Sequence, residues 1–219
     1  LRVLDGKRVF YLGKADRLSP AARDWLQAEN VRIAAPEEAK TTYTTPLGGS
    51  FPEKPEELTH LQGNVLVPKS HPRIAFRGMI DALEAELLLA QEAAAGHDAL
   101  IVALQEVLDF VRSLIRADVL DEPVKEVRLC GLTAQELREH SHFPQKYYGQ
   151  PHFMPSYTDG PAMLRLNRLR TVVRQTELAA YRAFSDRDGR LERRDILLAL
   201  NRLSSLCWIL MIRLKAGKC

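Results

Sequence analysis

Two arginines and a glutamate recur at helical spacing between Leu166 and Phe184, in the stretch LNRLRTVVRQTELAAYRAF. At about 100° per residue, Leu166, Val173, Ala180 and Phe184 form one apolar stripe. Arg170 and Glu177 fall on that stripe, within roughly 40° of its centre, and Arg174 and Tyr181 flank it. An arginine buried beside valine without a partner is costly. A carboxylate such as Asp81, in the same chain or in another subunit, would satisfy it. So would an anionic ligand, because the guanidinium fork suits phosphate oxygens.

Two other segments offer matching chemistry. In LNRLSSLCW, Asn201, Ser205 and Trp208 share a helical face. The Asn201 amide is both donor and acceptor, as a ribose or base requires, although it could equally tie two helices together. In KSHPRIAFRGMIDALEAEL, Lys69 sits just before a helix start, where open backbone N–H groups and a lysine together favour an anion. Taken singly, Lys69 reads as a solvated surface residue.

These residues need a scaffold of long helices. A helix opening at Pro72 carries Phe76, Ile80, Leu83 and Leu87 on one face, and Gly96 ends it. A second apolar helix starts near Asp98 and runs to Leu120. Thr133–Glu136 has the capping-box form. A ring-rich loop, HFPQKYYGQPHFMPSYTDGP, precedes the helix of the arginines, and a last helix spans about Glu192 to Leu214. This predicts an all-α core of about five helices in a ferritin-like bundle over residues 69–219. Residues 1–39 hold a small strand–helix–strand unit, with Ser19 as cap and Pro20 at the first helical position. Residues 40–68, rich in Thr, Pro and Gly, read as a loop with a possible nucleotide-contact segment.

Composition sets outer limits. The chain has 219 residues, 46% hydrophobic and 27% charged, with a formal net charge of +3. Acids and bases are interspersed, and no basic block marks a nucleic-acid partner. The apolar run Leu206–Ile212 falls far short of the roughly 20 residues of a membrane span. No signal peptide is read, so a cytoplasmic protein is expected. Cys130, Cys207 and Cys219 are widely spaced, which argues against disulfides or a structural zinc site.

Together, three segments resemble the ATP:corrinoid adenosyltransferase family, in its order. KSHPRIAFRGMIDALEAEL is similar to K-x-D-P-R-V-x-A-Y-G-x-V-D-E-L-N, RTVVRQTE to R-T-V-x-R-R-A-E, and NRLSSLCWIL to N-R-L-S-D-Y-L-F. RLSPAARDWL, LTHL, IRADVLDEP and RRDILLALNRLSS add likeness to the ethanolamine-utilisation (EutT-type) branch. The resemblance spans nearly the whole chain and implies transfer of the 5′-deoxyadenosyl group of ATP to cob(I)alamin, giving adenosylcobalamin and triphosphate.

It also implies a homotrimer with sites between subunits. Asp81 and Arg170 match an intersubunit ion pair beside the nucleotide, and Arg174 an arginine at the ATP phosphates. Glu177, Asn201 and Lys69 match ATP-binding positions, and Thr59 lies where a phosphate loop stands in relatives. The family removes the corrinoid's lower axial ligand and keeps that face dry. Phe153, with His152, Met154 and Tyr157, is the expected source of that wall. Magnesium is expected with ATP. Reductase and lyase partners, the latter ethanolamine ammonia-lyase, and a microcompartment location are implied as well. Alternatives are a non-catalytic corrinoid carrier or chaperone, and a microcompartment docking protein.

The departures are specific. Gln175 replaces the second arginine of R-R-A-E, and Ser205 the aspartate after N-R-L-S. The T-K-T-G-D loop of the PduO-type branch is missing, and Thr59–Lys69 occupies its place. Some EutT-type proteins hold a divalent metal with a His and a Cys-rich cluster, but Thr41–Leu58 contains neither residue type. No structural transition metal is therefore expected.

Overall fold

The structure, a computed structural model, describes residues 2–4, 7–13, 15–35, 42–186 and 188–218. The chain divides into two compact units, Leu1–Val67 and Pro68–Cys219.

In the first unit, β2 (Lys7–Tyr11) pairs antiparallel with β1 (Arg2–Leu4) and parallel with β3 (Arg32–Ala34). The crossover from β2 to β3 is α1 (Pro20–Ala28), capped by the Ser19 hydroxyl, which accepts from the Ala22 amide. Val9, Leu26, Val31 and Ala34 are buried. Where the sequence predicts a loop, residues 43–68 fold into a four-stranded sheet. Its strands are β4 (Tyr43–Thr44), β5 (Ser50–Phe51), β6 (Leu58–Gln62) and β7 (Val65–Pro68), in the order β5-β4-β7-β6. Strands of two to five residues carry too little alternation to stand out from turn residues.

The second unit is the helical bundle. Its long helices are α2 (Pro72–Ala93), α3 (Asp98–Val119), α6 (Pro161–Phe184) and α7 (Arg194–Lys215). A short hairpin, β8 (Arg128–Leu129) and β9 (Leu132–Thr133), leads into α4 (Ala134–His142) and α5 (Pro144–Tyr148). Packing runs α3–α2–α6–α7–α4. Gly96, with φ +87°, turns α2 back into α3 in a conformation that costs glycine little. The Thr133–Glu136 capping box forms as expected.

The core is the set of apolar faces that the 3.6-residue period assembles. Phe76, Ile80, Leu83 and Leu87 of α2 meet Leu166, Leu169, Val173 and Phe184 of α6 and the buried face of α7. Each large side chain so buried contributes about 1.5–3 kcal/mol. Phe76 and Phe184 pack edge to face at 5.3 Å, and the Thr176 hydroxyl donates to the Met79 carbonyl, which sets α2 antiparallel to α6. Cys207 is fully buried and burial pushes its thiol up to about 12, so it acts as a small core residue. Taken whole, α7 is long and apolar enough to cross a membrane, unlike the short run counted in the sequence. Its most apolar stretch is more than half buried within the protein, as a core helix requires.

The cap of α2 is titratable. His71 Nδ1 accepts from the Arg73 amide at 3.2 Å, which only the neutral ring does at that nitrogen. Burial, then the Arg73 and Arg77 guanidinium groups, lower its pKa from the ordinary value. A lowered histidine contributes stability that is present above its unfolded value of about 6.5 and lost as pH falls through the folded value. His71→Asn supplies a cap that does not titrate. The difference in melting temperature between wild type and this variant is therefore expected to change steadily from pH 8 to pH 5.5, in favour of the variant. A pH-independent difference would remove His71 from the acid response.

Candidate functional site

A cleft of about 780 Å³ opens in the second unit along α6, α7, α4 and the loop before α6. Four arginines line it: Arg170 and Arg174 from α6, Arg138 from α4 and Arg202 from α7. No lining residue is an aspartate or glutamate. Among the described residues, none of the four guanidinium groups forms an ion pair with a carboxylate. Glu177 is the carboxylate at the cleft edge, bonded to Asn201 and close enough for its charge to act on Arg202, and four positive charges against it leave a surplus that favours a multiply charged anion.

Each arginine has a distinct setting. Arg170 is half-buried at the edge of the core, not within it, and its guanidinium lies 5.3 Å over the Trp208 ring. That ring face is attractive to a cation but supplies no counter-charge. Burial, then the Arg174 charge, lower the Arg170 pKa, yet an arginine stays protonated in a protein. Arg174 is exposed and points its donors at no protein acceptor among the described residues. The apolar stripe thus turns the two arginines outward by its own geometry. Met163, Leu166, Leu169, Val173 and Ala180 take the buried arc, and positions 167, 170 and 174 are left at its rim.

Asn201 stands across from them on α7. Its Nδ2 donates to Glu177 Oε1 at 3.0 Å, and its Oδ1 accepts from Arg202 Nη1 at 3.1 Å. The pair Glu177–Asn201 therefore ties α6 to α7 at the edge of the cleft. Asn201, Ser205 and Trp208, at i, i+4 and i+7, form the floor.

The far wall is aromatic. His152 stacks on Trp208 with centroids 5.8 Å apart and planes at 8°, and Phe153 packs on the same indole at 5.1 Å and 26°. The loop is pinned by the His152 ring against the His142 carbonyl and by Lys215, which donates to Asp159. Met154 lines the cleft and is 90% exposed.

Arg170, Arg174, Asn201, His152, Phe153 and Met154 are thus brought together, with Glu177 behind Asn201. Others are placed elsewhere. Tyr157 is 86% exposed in a 3-10 turn, Tyr157–Asp159, and does not line the cleft. Asp81 is exposed on α2 and makes no ion pair with Arg170 within the chain. Lys69 precedes α2, whose start lies beside Phe184. Ten helical residues from Phe184 back to Arg174 span about 15 Å, so Lys69 is remote from the cleft of its own subunit. Thr59 lies on β6 of the first unit. Sequence reasoning missed Arg138, Arg202, His142 and Asn167. Asn167 stands one turn before Arg170 on the same rim, and Arg202 adjoins Asn201, so both had a local signal. Arg138 had none, because only the docking of α4 on α7 brings it in.

Among the described residues, no three His, Cys, Asp or Glu side chains are grouped to hold a metal ion.

Residues 52–214 match the sequence profile of the cobalamin adenosyltransferase family. A corrinoid adenosyltransferase EutT of Salmonella typhimurium is 38% identical over 161 residues, covering 73% of this chain and 59% of that protein. The chain thus spans under two thirds of that relative. The Escherichia coli corrinoid adenosyltransferase EutT is 31% identical over 226 residues, covering 92% and 84%. Among solved structures, a variant of the PduO-type ATP:corrinoid adenosyltransferase from Lactobacillus reuteri, complexed with cobalamin and ATP, superimposes with a TM-score of 0.56. It shares 19% identity, covers 74% of this chain and 90% of its own, and shows the same fold.

Proposed function

This chain belongs to the cobalamin adenosyltransferase family, and we propose that it transfers the 5′-deoxyadenosyl group of ATP to the cobalt of a reduced corrinoid. The observation that carries this reading is the cleft itself: four arginines without a carboxylate partner beside a stacked aromatic wall.

In the reaction, the cobalt(I) electron pair forms a bond to C5′ of ATP. The C5′–O bond breaks, and its pair leaves on triphosphate. No proton moves, so the chain need supply no general base. Its task is alignment of cobalt, carbon and leaving oxygen, together with stabilisation of charge building on the leaving group. Arg170 and Arg174 serve the triphosphate, aided by the magnesium it carries. Asn201, held by Glu177, takes the nucleoside. Phe153 and His152, fixed against Trp208, cover the lower face of the corrin and exclude water from it, with Met154 at the rim.

Asp81, Lys69 and Thr59 fit this reading in a homotrimer, in which they complete the site of a neighbouring subunit. Exposed Leu88, Leu164, Leu178 and Leu198 supply apolar surface for such contacts. In this arrangement Asp81 pairs with the partner subunit's Arg170. Asp81→Ala is then expected to shift the protein toward monomer in sedimentation and to weaken ATP binding at least fivefold. A variant that remains trimeric and binds ATP normally would refute the pairing. We place the protein in the cytoplasm, with a microcompartment, a reductase and ethanolamine ammonia-lyase as its setting.

The test is anaerobic mixing of protein, ATP, magnesium and chemically reduced cob(I)alamin, followed by visible spectroscopy. Conversion to the adenosylcobalamin spectrum without added transition metal is expected. Binding of corrinoid without conversion would favour a carrier.

A further inference from the structure

Arg138 and Arg202 take no part in the mechanism above, yet they share the cleft with Arg170 and Arg174. Two of the four stand on α6, and the other two on α7 and α4. Arg170 and Arg174 lie one turn apart on α6. Arg202 follows Asn201 by one residue on α7, which turns it about 100° away from the Asn201–Ser205–Trp208 floor. It stays within reach of α6 through its bond to Asn201 and the nearby Glu177 charge, and α4, which also packs on α7, carries Arg138. The proximity is felt electrostatically: after burial, the Arg138 charge is the largest cause lowering the Arg202 pKa. Arg202 Nε is buried without a hydrogen-bond partner, and only one of its other nitrogens is seen to donate, to Asn201. Arg138 is exposed, and its guanidinium has no acceptor among the described residues.

We propose that Arg138 and Arg202 form a second anion subsite that binds the phosphodiester of the corrinoid's nucleotide tail. This rests on the adenosyltransferase reading and deepens it. Two phosphate-bearing groups could meet these guanidinium groups: the triphosphate of ATP and the phosphodiester of the tail. Position favours the tail. The α6 bank, with magnesium, already faces the triphosphate. The α4 bank adjoins the His152–Phe153 wall, since the His152 ring meets the His142 carbonyl of α4, and that wall is the one assigned to the lower face of the corrin, from which the tail hangs. A singly charged diester matches one guanidinium pair of moderate exposure. Held there, the tail cannot return its base to the lower face.

The experiment compares cobalamin with cobinamide, which has the same corrin ring without the nucleotide tail. Both are assayed as reduced substrates and titrated by absorbance, with KM for ATP measured in parallel. In Arg138→Ala, whose exposed position spares the fold, KM and Kd for cobalamin are expected to rise about tenfold. Values for cobinamide change less than twofold, and KM for ATP is unmoved. Arg202→Gln repeats the pattern, and Arg138→Lys recovers part of the loss. An equal rise for both corrinoids would overturn the proposal, and a raised KM for ATP would assign the pair to the triphosphate instead. A wild-type protein that converts neither corrinoid overturns the adenosyltransferase reading and this subsite with it, a result distinct from the other two.

Discussion

Replacing Arg174 with alanine is expected to lower kcat/KM for adenosyl transfer by about 10²–10³, with kcat falling more than KM rises. The cause is where the charge is needed. Triphosphate gains negative charge only as the C5′–O bond breaks, so a guanidinium aimed at it stabilises the transition state more than bound ATP. Arg174 is suited to this because no protein acceptor among the described residues competes for its donors. It is also exposed, so truncation leaves the core untouched. Arg174→Lys restores charge without the planar fork, and partial recovery is expected. Arg170 is a less clean probe, since its side chain packs on Trp208. Stopped-flow absorbance under anaerobic conditions, with the melting temperature as a control, measures the effect. Turnover within threefold of wild type in Arg174→Ala would take this residue out of the reaction.

Much of this arrangement was legible in the sequence because it is written at helical period. Pro72 and the Thr133–Glu136 box mark helix starts that form as expected. The spacing of Arg170, Arg174 and Glu177 showed that charge runs along one edge of α6. It also put Arg170 and Glu177 too deep, because a 100° wheel does not say how wide an arc the neighbouring helices cover. Here α2 and α7 cover the arc through 166, 169, 173 and 180 and stop short of 170 and 174. The ring-rich loop was legible by composition, but only the Trp208 indole decides which rings count. It captures His152 and Phe153 and leaves Tyr157 in solvent. Arg138 was illegible for a related reason: its role depends on the docking of a nine-residue helix, which no local spacing encodes.

Replacing Asp118 with alanine is expected to destabilise the helical unit by about 3 kcal/mol, the low end of what breaking a buried ion pair costs, because its two arginine partners are only part-buried. Asp118 has no exposed surface and lies in the last turn of α3. Its Oδ1 accepts from Arg73 Nε at 2.9 Å and Nη2 at 2.6 Å, its Oδ2 from Arg77 Nε at 2.7 Å, and its carbonyl again from Arg73. One carboxylate thus fastens the first two turns of α2 to α3. A neighbouring clamp joins α7, where Arg193 holds Asp195 at both oxygens and donates to the carbonyls of Ala117 and Glu122. Burial alone would raise Asp195, but the Arg193 bonds and the Val124 and Ile196 amides hold it at about 2, so this clamp survives mild acid. The Asp118 effect is charge pairing rather than shape, so exchanging all three members is the discriminating control. Asp118→Leu combined with Arg73→Met and Arg77→Met should recover most of the loss. Urea denaturation followed by helical circular dichroism measures both variants. A single variant within 1 kcal/mol of wild type, or a triple variant as weak as the single, would show that the pair does not hold this end of the bundle. The consequence reaches the chemistry, because the turn that Asp118 fastens carries His71 and follows Lys69 directly. If Lys69 serves ATP as proposed, loosening this turn should weaken ATP binding more than corrinoid binding.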